Sequence, residues 1–462
     1  MASNRNEQVH LAFDLGASSG RAILGRVGPQ RQIKLEEVHR FGNAPVKTDK
    51  GLFWDIEALF EQMLQAMRLV SDRGVPLRSI GVDTWGVDFA LLDENGELLD
   101  RPICYRDSRN IGMSRRIVER IGATRLSERT GSMFQDHASL CQLAAAAEDT
   151  PVLLSRAATL LFIPDLLRQW LCGSLSTDCT VASTSQMYDA VRREWATDIL
   201  AELNLPGKIL PSVAIGPSIA GSLIRDIQKK TGLGSVPVVV GAGHDTGAAF
   251  GLCLDEDLPP PEDLVVVSSG TWSILGIFVD EYLPAGALEP TRFGYEANPD
   301  GSLRIVCNLT GAWLIEQCRK VWSAEGVDCS YEALIAAARA TADEDNASAI
   351  IDPQWEGFTH PSDMPAAVAE YCRDTDQPVP RTPGEFAQVI FVSLAESYAQ
   401  AIAELREKTG KPLRNLYVIG GMSRNKYLNE LTSGRADVLV SVGPAEAAAT
   451  GNVAVQMQAM ET

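Results

Sequence analysis

Two distant stretches of this chain share one plan: an apolar run, a short turn of glycine and hydroxyl residues, and a second apolar run. Near the start, Val9–Leu15 leads into G-A-S-S-G and then Arg21–Val27. In the second half, Leu264–Val267 leads into Ser268-Ser-Gly-Thr271 and then Trp272–Phe278. Short β-like runs joined by a tight turn predict a hairpin. Its recurrence predicts a weak internal repeat, with one such hairpin in each half. At 462 residues the chain is too long for one ordinary core, so two domains of roughly 200 residues are expected. The expected division is 1–246 and 247–462.

Between the hairpins, apolar residues recur at helical spacing over Ile56–Val70, Met113–Ile121, Ala138–Ala147 and Ile163–Leu171. Ser79–Leu92 reads as a strand pair and Val236–Val240 as a buried strand. Helices are predicted over Gly311–Trp322, Tyr331–Thr341, Pro383–Lys408 and Ala445–Met460, and a strand over Leu416–Ile419 that ends at Gly420-Gly421. Strands alternating with helices in both halves predict an α/β fold. Pro259-Pro-Pro261, followed by Glu262 and Asp263, reads as a stiff, exposed linker.

Lys plus Arg number 41 and Asp plus Glu 60, for a formal charge of −19. That balance argues against nucleic acid or an anionic membrane as partner. A nucleotide needs only a local cluster of donors and stays open. No apolar run reaches the length of a membrane span. The polar first ten residues lack the apolar stretch of a signal peptide, and the nine cysteines form no C-x-x-C pair. A cytoplasmic protein with reduced thiols is expected.

V-G-A-G-H-D-T-G, Val240–Gly247, places Asp245 where a buried strand should stop, beside His244. A carboxylate there can act as a general base toward a hydroxyl, or it can cap the following helix. The first hairpin turn can hold phosphate oxygens on successive backbone N–H groups, with Asp14 holding a magnesium ion through water. It can equally be a plain turn. Ser268–Thr271 and Gly420-Gly421 are two further glycine turns at strand ends, suited to phosphate and to an adenine face, or to ordinary chain reversal. Trp85, in G-V-D-T-W-G-V-D, could stack on a sugar or fill the core.

The order of these stretches resembles the FGGY carbohydrate kinases, within the actin- and hexokinase-like phosphotransferases, over about residues 9 to 456. D-L-G-A-S-S-G-R, G-V-D-T-W-G-V-D, Y-R-D-S-R, G-H-D-T and S-S-G-T-W-S are most similar to the rhamnulokinase branch. The resemblance implies two ribonuclease-H-like α/β domains with a cleft between them, ATP and Mg²⁺ as cofactors, and transfer of phosphate to a ketose hydroxyl. L-Rhamnulose, phosphorylated on C1, is the expected substrate; L-fuculose, L-ribulose and D-xylulose are alternatives. By match of motif, Asp245 would accept the proton. Asp14, Ala17, Ser18, Ser19, Gly20, Arg21, Thr271, Glu316 and Gly421 would contact nucleotide or metal. Gly86, Trp85, His244, Thr246 and Asn308 would hold the sugar. The chain departs from the family pattern at Asp136–Leu143, at Arg292–Glu296 and at Met422. A sugar or nucleotide sensor of the same fold is the competing reading. A serine or cysteine hydrolase lacks its G-x-S-x-G elbow.

Overall fold

The computed structural model describes residues 7–254, 258–284, 286–342, 349–359 and 361–461. The chain forms two compact units, and neither is one continuous stretch. The first comprises Met1–Asp255, Val279–Ile305 and Ala447–Thr462; the second comprises Glu256–Phe278 and Val306–Glu446. The expected division at 246/247 therefore misses two returns of the chain. Val279–Ile305 and the last helix both go back to the first unit, because their apolar and polar partners lie there.

The first unit is built on a six-stranded sheet. Its order is Ser218–Ser222, Pro237–Val240, Ser79–Thr84, Gln8–Leu15, Ser19–Val27 and Ile33–Gly42. Gln8–Leu15 pairs antiparallel with Ser19–Val27, as the expected hairpin, and parallel with Ser79–Thr84. Pro237–Val240 continues the parallel part. Helix Ile56–Asp72 begins at Asp55, whose carboxylate accepts from Ala58 N–H at 3.2 Å, satisfying one of the free donors of a helix start. Its Ile56, Leu59, Met63, Met67 and Val70 form one buried stripe in the core with Leu11, Phe13, Leu24 and Ile80. Each such side chain contributes about 1.5–3 kcal/mol on full burial.

The last helix, Ala447–Ala459, lies against this sheet because two sheet glycines leave room for it, and its own Gly451 lets it approach helix Asp245–Gly251. A Cβ on Gly25 would meet Val453 at 2.4 Å, one on Gly81 would meet Asn452 at 2.3 Å, and one on Gly451 would meet the Ala248 carbonyl at 1.9 Å. The strand pair expected over Ser79–Leu92 is a correction. Ser79–Thr84 belongs to the main sheet, whereas Phe89–Leu92 pairs with Thr159–Phe162 in a separate ribbon.

The second unit carries the other hairpin. Leu264–Ser269 pairs antiparallel with Trp272–Val279 and parallel with Asn415–Ile419, which pairs parallel with Leu439–Val442. This is the connectivity of Gln8–Leu15, Ser19–Val27, Ser79–Thr84 and Pro237–Val240, so the repeat seen in two turns extends through the sheet topology. Helix Pro383–Thr409 is capped by Thr382, which accepts from Glu385 N–H, and it ends at Gly410 in the left-handed conformation. By length and composition alone this helix could cross a bilayer, but most of its apolar window is buried inside the unit. Of the expected exposed linker, Pro260, Pro261 and Glu262 are exposed and Pro259 is half-buried. Asp263 just beyond them is buried and clamps Arg414, with Oδ2 2.7 Å from Nη2. All nine cysteines are free thiols.

Candidate active site

Three neighbouring parallel strands of the first unit end together, and each delivers a carboxylate. Asp14 and Asp83 are register partners one residue before their strand ends. His244 and Asp245 follow Pro237–Val240, and Thr84 bridges His244 in parallel. The carboxyl ends of parallel strands are where open α/β sheets bind ligands.

Asp14 is buried and paired with Arg21, its antiparallel register partner across the hairpin. Between them the turn is tight: Gly16 N–H donates to Ser19 O at 2.9 Å, and Asn43 holds Gly16 O and Ser18 O. Ala17 packs on the core, while Ser18 and Ser19 are exposed. Gly20 lies under the Phe41 ring, where a Cβ would come within 2.3 Å.

Asp83 is fully buried. Its Oδ2 accepts from Asn452 Nδ2 at 2.5 Å, and among the described residues its Oδ1 has no hydrogen-bond partner. Burial, then the charge of Asp14, raises its pKa well above the ordinary carboxyl value; the Asn452 hydrogen bond opposes them.

The Gly241–His244 segment is pinned. Gly243 N–H donates to Asp178 Oδ2 at 2.8 Å and His244 N–H to Thr180 Oγ1 at 3.2 Å, while Gly243 O accepts from Thr84 N–H at 2.8 Å. Helix Asp245–Gly251 starts at once, with His244 as its cap residue. The cap reading of Asp245 is corrected: His244 is the cap, and Asp245 is the first residue of the helix, five residues beyond the strand end at Val240. Its Oδ1 accepts from Thr246 N–H at 2.6 Å and from the Thr246 hydroxyl at 3.2 Å, and lies 3.4 Å from His244 Nε2. Among the described residues no hydrogen bond reaches Oδ2, and the side chain is about a third exposed (32%). Gly86 lies beneath the His244 ring, where a Cβ would stand 3.3 Å from Nε2.

Trp85 is a correction. The ring expected to face a sugar is 7% exposed and packs on Trp54, with centroids 4.2 Å apart. Its Nε1–H donates to Asp88 Oδ2 at 2.9 Å, as does Trp54 Nε1–H at 2.6 Å. An indole whose face is covered and whose N–H is bound belongs to the core.

In the second unit, Thr271, Gly421 and Glu316 lie on adjoining elements. The turn Ser268–Thr271 accepts from the start of helix Trp313–Ala324: Ala312 N–H reaches Gly270 O at 2.8 Å, and Trp313 N–H reaches Thr271 O at 3.2 Å. Gly420 has a φ of +86° and passes so close to Ser269 O that a Cβ would stand 2.7 Å away; only glycine accepts both conditions. Thr271 and Gly421 are exposed. The Glu316 carboxylate binds Arg319 Nη1 at 2.9 Å and the Tyr331 hydroxyl at 2.5 Å. Asn308 lies on strand Leu303–Thr310.

Sequence reasoning gave no role to five residues around the first-unit carboxylates. Asp83 carried a signal, since G-V-D-T matches F-D-L-G in placing an Asp one residue before a strand end. Asn452 and Gln456 carried another, as a polar pair four apart in an Ala- and Val-rich helix. Glu296 and Arg304 carried none, because only the folded chain brings them to His244.

Residues 9–251 match the N-terminal domain of the FGGY family of carbohydrate kinases, and residues 265–460 match its C-terminal domain. The chain is 37% identical over 450 residues to a rhamnulokinase of Bacteroides thetaiotaomicron, covering 97% of this chain and 90% of that one. It is 33% identical over 457 residues to a rhamnulokinase of Oceanobacillus iheyensis, covering 98% and 94%. Among solved structures, a ligand-bound xylulose kinase from Lactobacillus acidophilus shares the fold, with a TM-score of 0.80 at 16% identity over 98% of this chain and 90% of that one. Both halves of the family pattern are therefore present in order over nearly the whole length, and the chain belongs to the FGGY family of carbohydrate kinases.

Proposed function

We propose that this sugar kinase transfers the γ-phosphoryl group of ATP to the C1 hydroxyl of L-rhamnulose. The observation that carries the reaction is Asp245, with Oδ1 engaged by Thr246 and Oδ2 open. The observation that carries the sugar is the similarity over 97% of the chain to a protein named rhamnulokinase.

Asp245 Oδ2 takes the C1 hydroxyl proton, and that oxygen attacks the γ-phosphorus in line as the bond to ADP breaks. The transition state is loose and spreads charge over the phosphoryl oxygens. Arg21 and the N–H groups of the Ala17–Gly20 turn would meet that charge. Thr271, Gly421 and Glu316 would hold the nucleotide, and Gly86, His244, Thr246 and Asn308 the sugar.

Mg²⁺ fits the residues present. Among the described residues no group of three or more His, Cys, Asp or Glu forms a cage, and an ion that keeps its waters needs only one or two carboxylates beside substrate phosphates. Asp14 would hold it through water, and the buried, unpartnered Oδ1 of its register partner Asp83 offers a second oxygen. When bound, the ion neutralises phosphate charge. Reduced buried thiols suit a cytoplasmic enzyme.

The test is ADP release from ATP·Mg²⁺ with L-rhamnulose, L-fuculose, L-ribulose, D-xylulose or glycerol against a sugar-free blank. Strongest turnover with L-rhamnulose is expected. Strongest turnover with another ketose would overturn the substrate, and none above the blank, with calorimetric sugar binding, would return the sensor reading.

A further inference from the structure

Glu296 ends the stretch Arg292–Glu296, where the chain departs from its family's pattern, and the proposed reaction gives it no task. It lies on strand Phe293–Ala297 with its side chain 13% exposed. One oxygen, Oε2, faces two nitrogenous groups: Arg304 Nη2 at 2.5 Å and His244 Nδ1 at 3.5 Å. The second distance is that of an ion pair, longer than a good hydrogen bond.

Arg304 is fully buried, with both terminal nitrogens held and Nε without a hydrogen-bond partner among the described residues. Its Nη1 donates to Ala297 O at 2.7 Å and to Asn298 Oδ1 at 2.9 Å, and its guanidinium lies 5.1 Å from the centre of the Phe250 ring. A guanidinium fixed in this way fixes the carboxylate it grips. On the other side of the imidazole, His244 Nε2 stands 3.4 Å from Asp245 Oδ1. The ring therefore lies between two carboxylates, one anchored to a buried arginine and the other the proposed base.

We infer that Glu296 is a positioning residue, which holds the His244 ring as a two-donor imidazolium with one N–H toward Glu296 and the other toward Asp245 and the sugar. Its purpose rests on the sugar kinase reading; its existence rests on the geometry alone. A donor at Nε2 favours an ionised Asp245, which is the form a base requires. It also presents a donor to any sugar oxygen that settles over Gly86.

The charges agree with this arrangement. Burial alone would lower the His244 pKa, but Glu296 and then Asp245 outweigh it, with Arg304 opposing, and the net shift is upward. Two other carboxyl groups stand on the elements around the ring. Asp178 accepts the Gly243 N–H, and Asp83 accepts from Asn452.

The experiment is an NMR titration of the full chain labelled in histidine, with His244→Asn assigning one signal among five. The expected midpoint for His244 lies above the ordinary value of about 6.5. Glu296→Gln should lower it by about one unit or more, and Glu296→Asp should restore most of the shift. The alkaline limb of kcat with the best ketose should move down in step, whereas a merely structural role would change kcat or KM and leave that limb in place. A wild-type midpoint at or below about 6.5, or one unmoved in folded Glu296→Gln, overturns the inference. Should Glu296→Gln fail to fold, Glu296→Gln with Arg304→Met removes both buried charges, and the wild-type midpoint still decides. Absence of turnover with every sugar would sink the kinase reading while the titration judged Glu296 separately.

Discussion

Asn452, on the last helix, donates a 2.5 Å hydrogen bond to Asp83, 369 residues earlier in the chain. The bond is one link in a buried polar line. Gln456 Nε2 donates to Asn452 Oδ1 at 2.7 Å and to Leu11 O at 3.2 Å; Ser79 Oγ donates to Gln456 Oε1 at 2.7 Å; and Ser79 meets His10 Nδ1 at 2.8 Å. The end of the chain thus fixes the strand that carries Asp83, next to the strand that carries Asp14. Asn452→Ala should remove the side-chain donor that Asn452 gives Asp83 and cost about 1–3 kcal/mol. Gly81→Val should cost a similar amount, about 1–3 kcal/mol, by forcing the helix off the sheet. Thermal and denaturant unfolding measure both, and an unchanged melting temperature in either variant would refute the docking argument.

Asp245→Asn keeps the size of the side chain and removes its basicity. Sugar-dependent kcat should fall roughly 10²–10⁴-fold, the range for loss of a general base, with the melting temperature nearly unchanged. A rate within about threefold of the parent's would show that another group takes the proton.

Trp85→Phe separates a core tryptophan from a sugar platform. The variant loses the indole N–H to Asp88 and part of the packing on Trp54. It should lose about 1–3 kcal/mol of stability, while the KM for sugar stays within about twofold of the parent's. A large rise in KM without loss of stability would place the ring at the substrate after all.

Asp14→Asn removes the carboxylate proposed to hold Mg²⁺ through water. The Mg²⁺ concentration for half-maximal rate should rise roughly 10–100-fold, the usual effect of losing an outer-sphere partner. Magnesium titration at fixed ATP reads this directly, and an unshifted curve would exclude Asp14 from the metal.

Stability should depend on pH in two opposite ways. The Glu296 pKa is depressed to about 2: burial raises it, but Arg304 and then His244 lower it further. Its contribution is present above the ordinary carboxyl value and is lost as pH falls toward about 2. Burial raises the Asp88 pKa to about 6 against the hydrogen bonds of Trp54, Trp85 and Gln142. Its contribution is present below the ordinary value and is lost as pH rises through about 6. Glu296→Gln should flatten the loss of stability on the acid side and Asp88→Asn the loss of stability as pH rises through about 6; urea unfolding across pH tests both.

Much of this protein was legible as local pattern. Apolar spacing marked Ile56–Val70, Met113–Ile121 and Pro383–Lys408 as helices, each ending within two residues of the observed helix end, because a buried stripe repeats with the helical turn. The two hydroxyl-glycine turns marked the hairpins, and H-D-T marked Asp245 as a candidate, because polar residues shortly after an apolar strand stand out in one dimension. Tertiary structure alone decided what depends on partners distant in sequence. It sent Trp85 to Trp54 and Asp88, returned Val279–Ile305 and Ala447–Thr462 to the first unit, and set Glu296 and Arg304 against His244. These outcomes turn on which buried donor meets which buried acceptor. Such pairing follows from the cost of leaving a polar group unpartnered inside the fold, and it leaves no periodic trace in the chain.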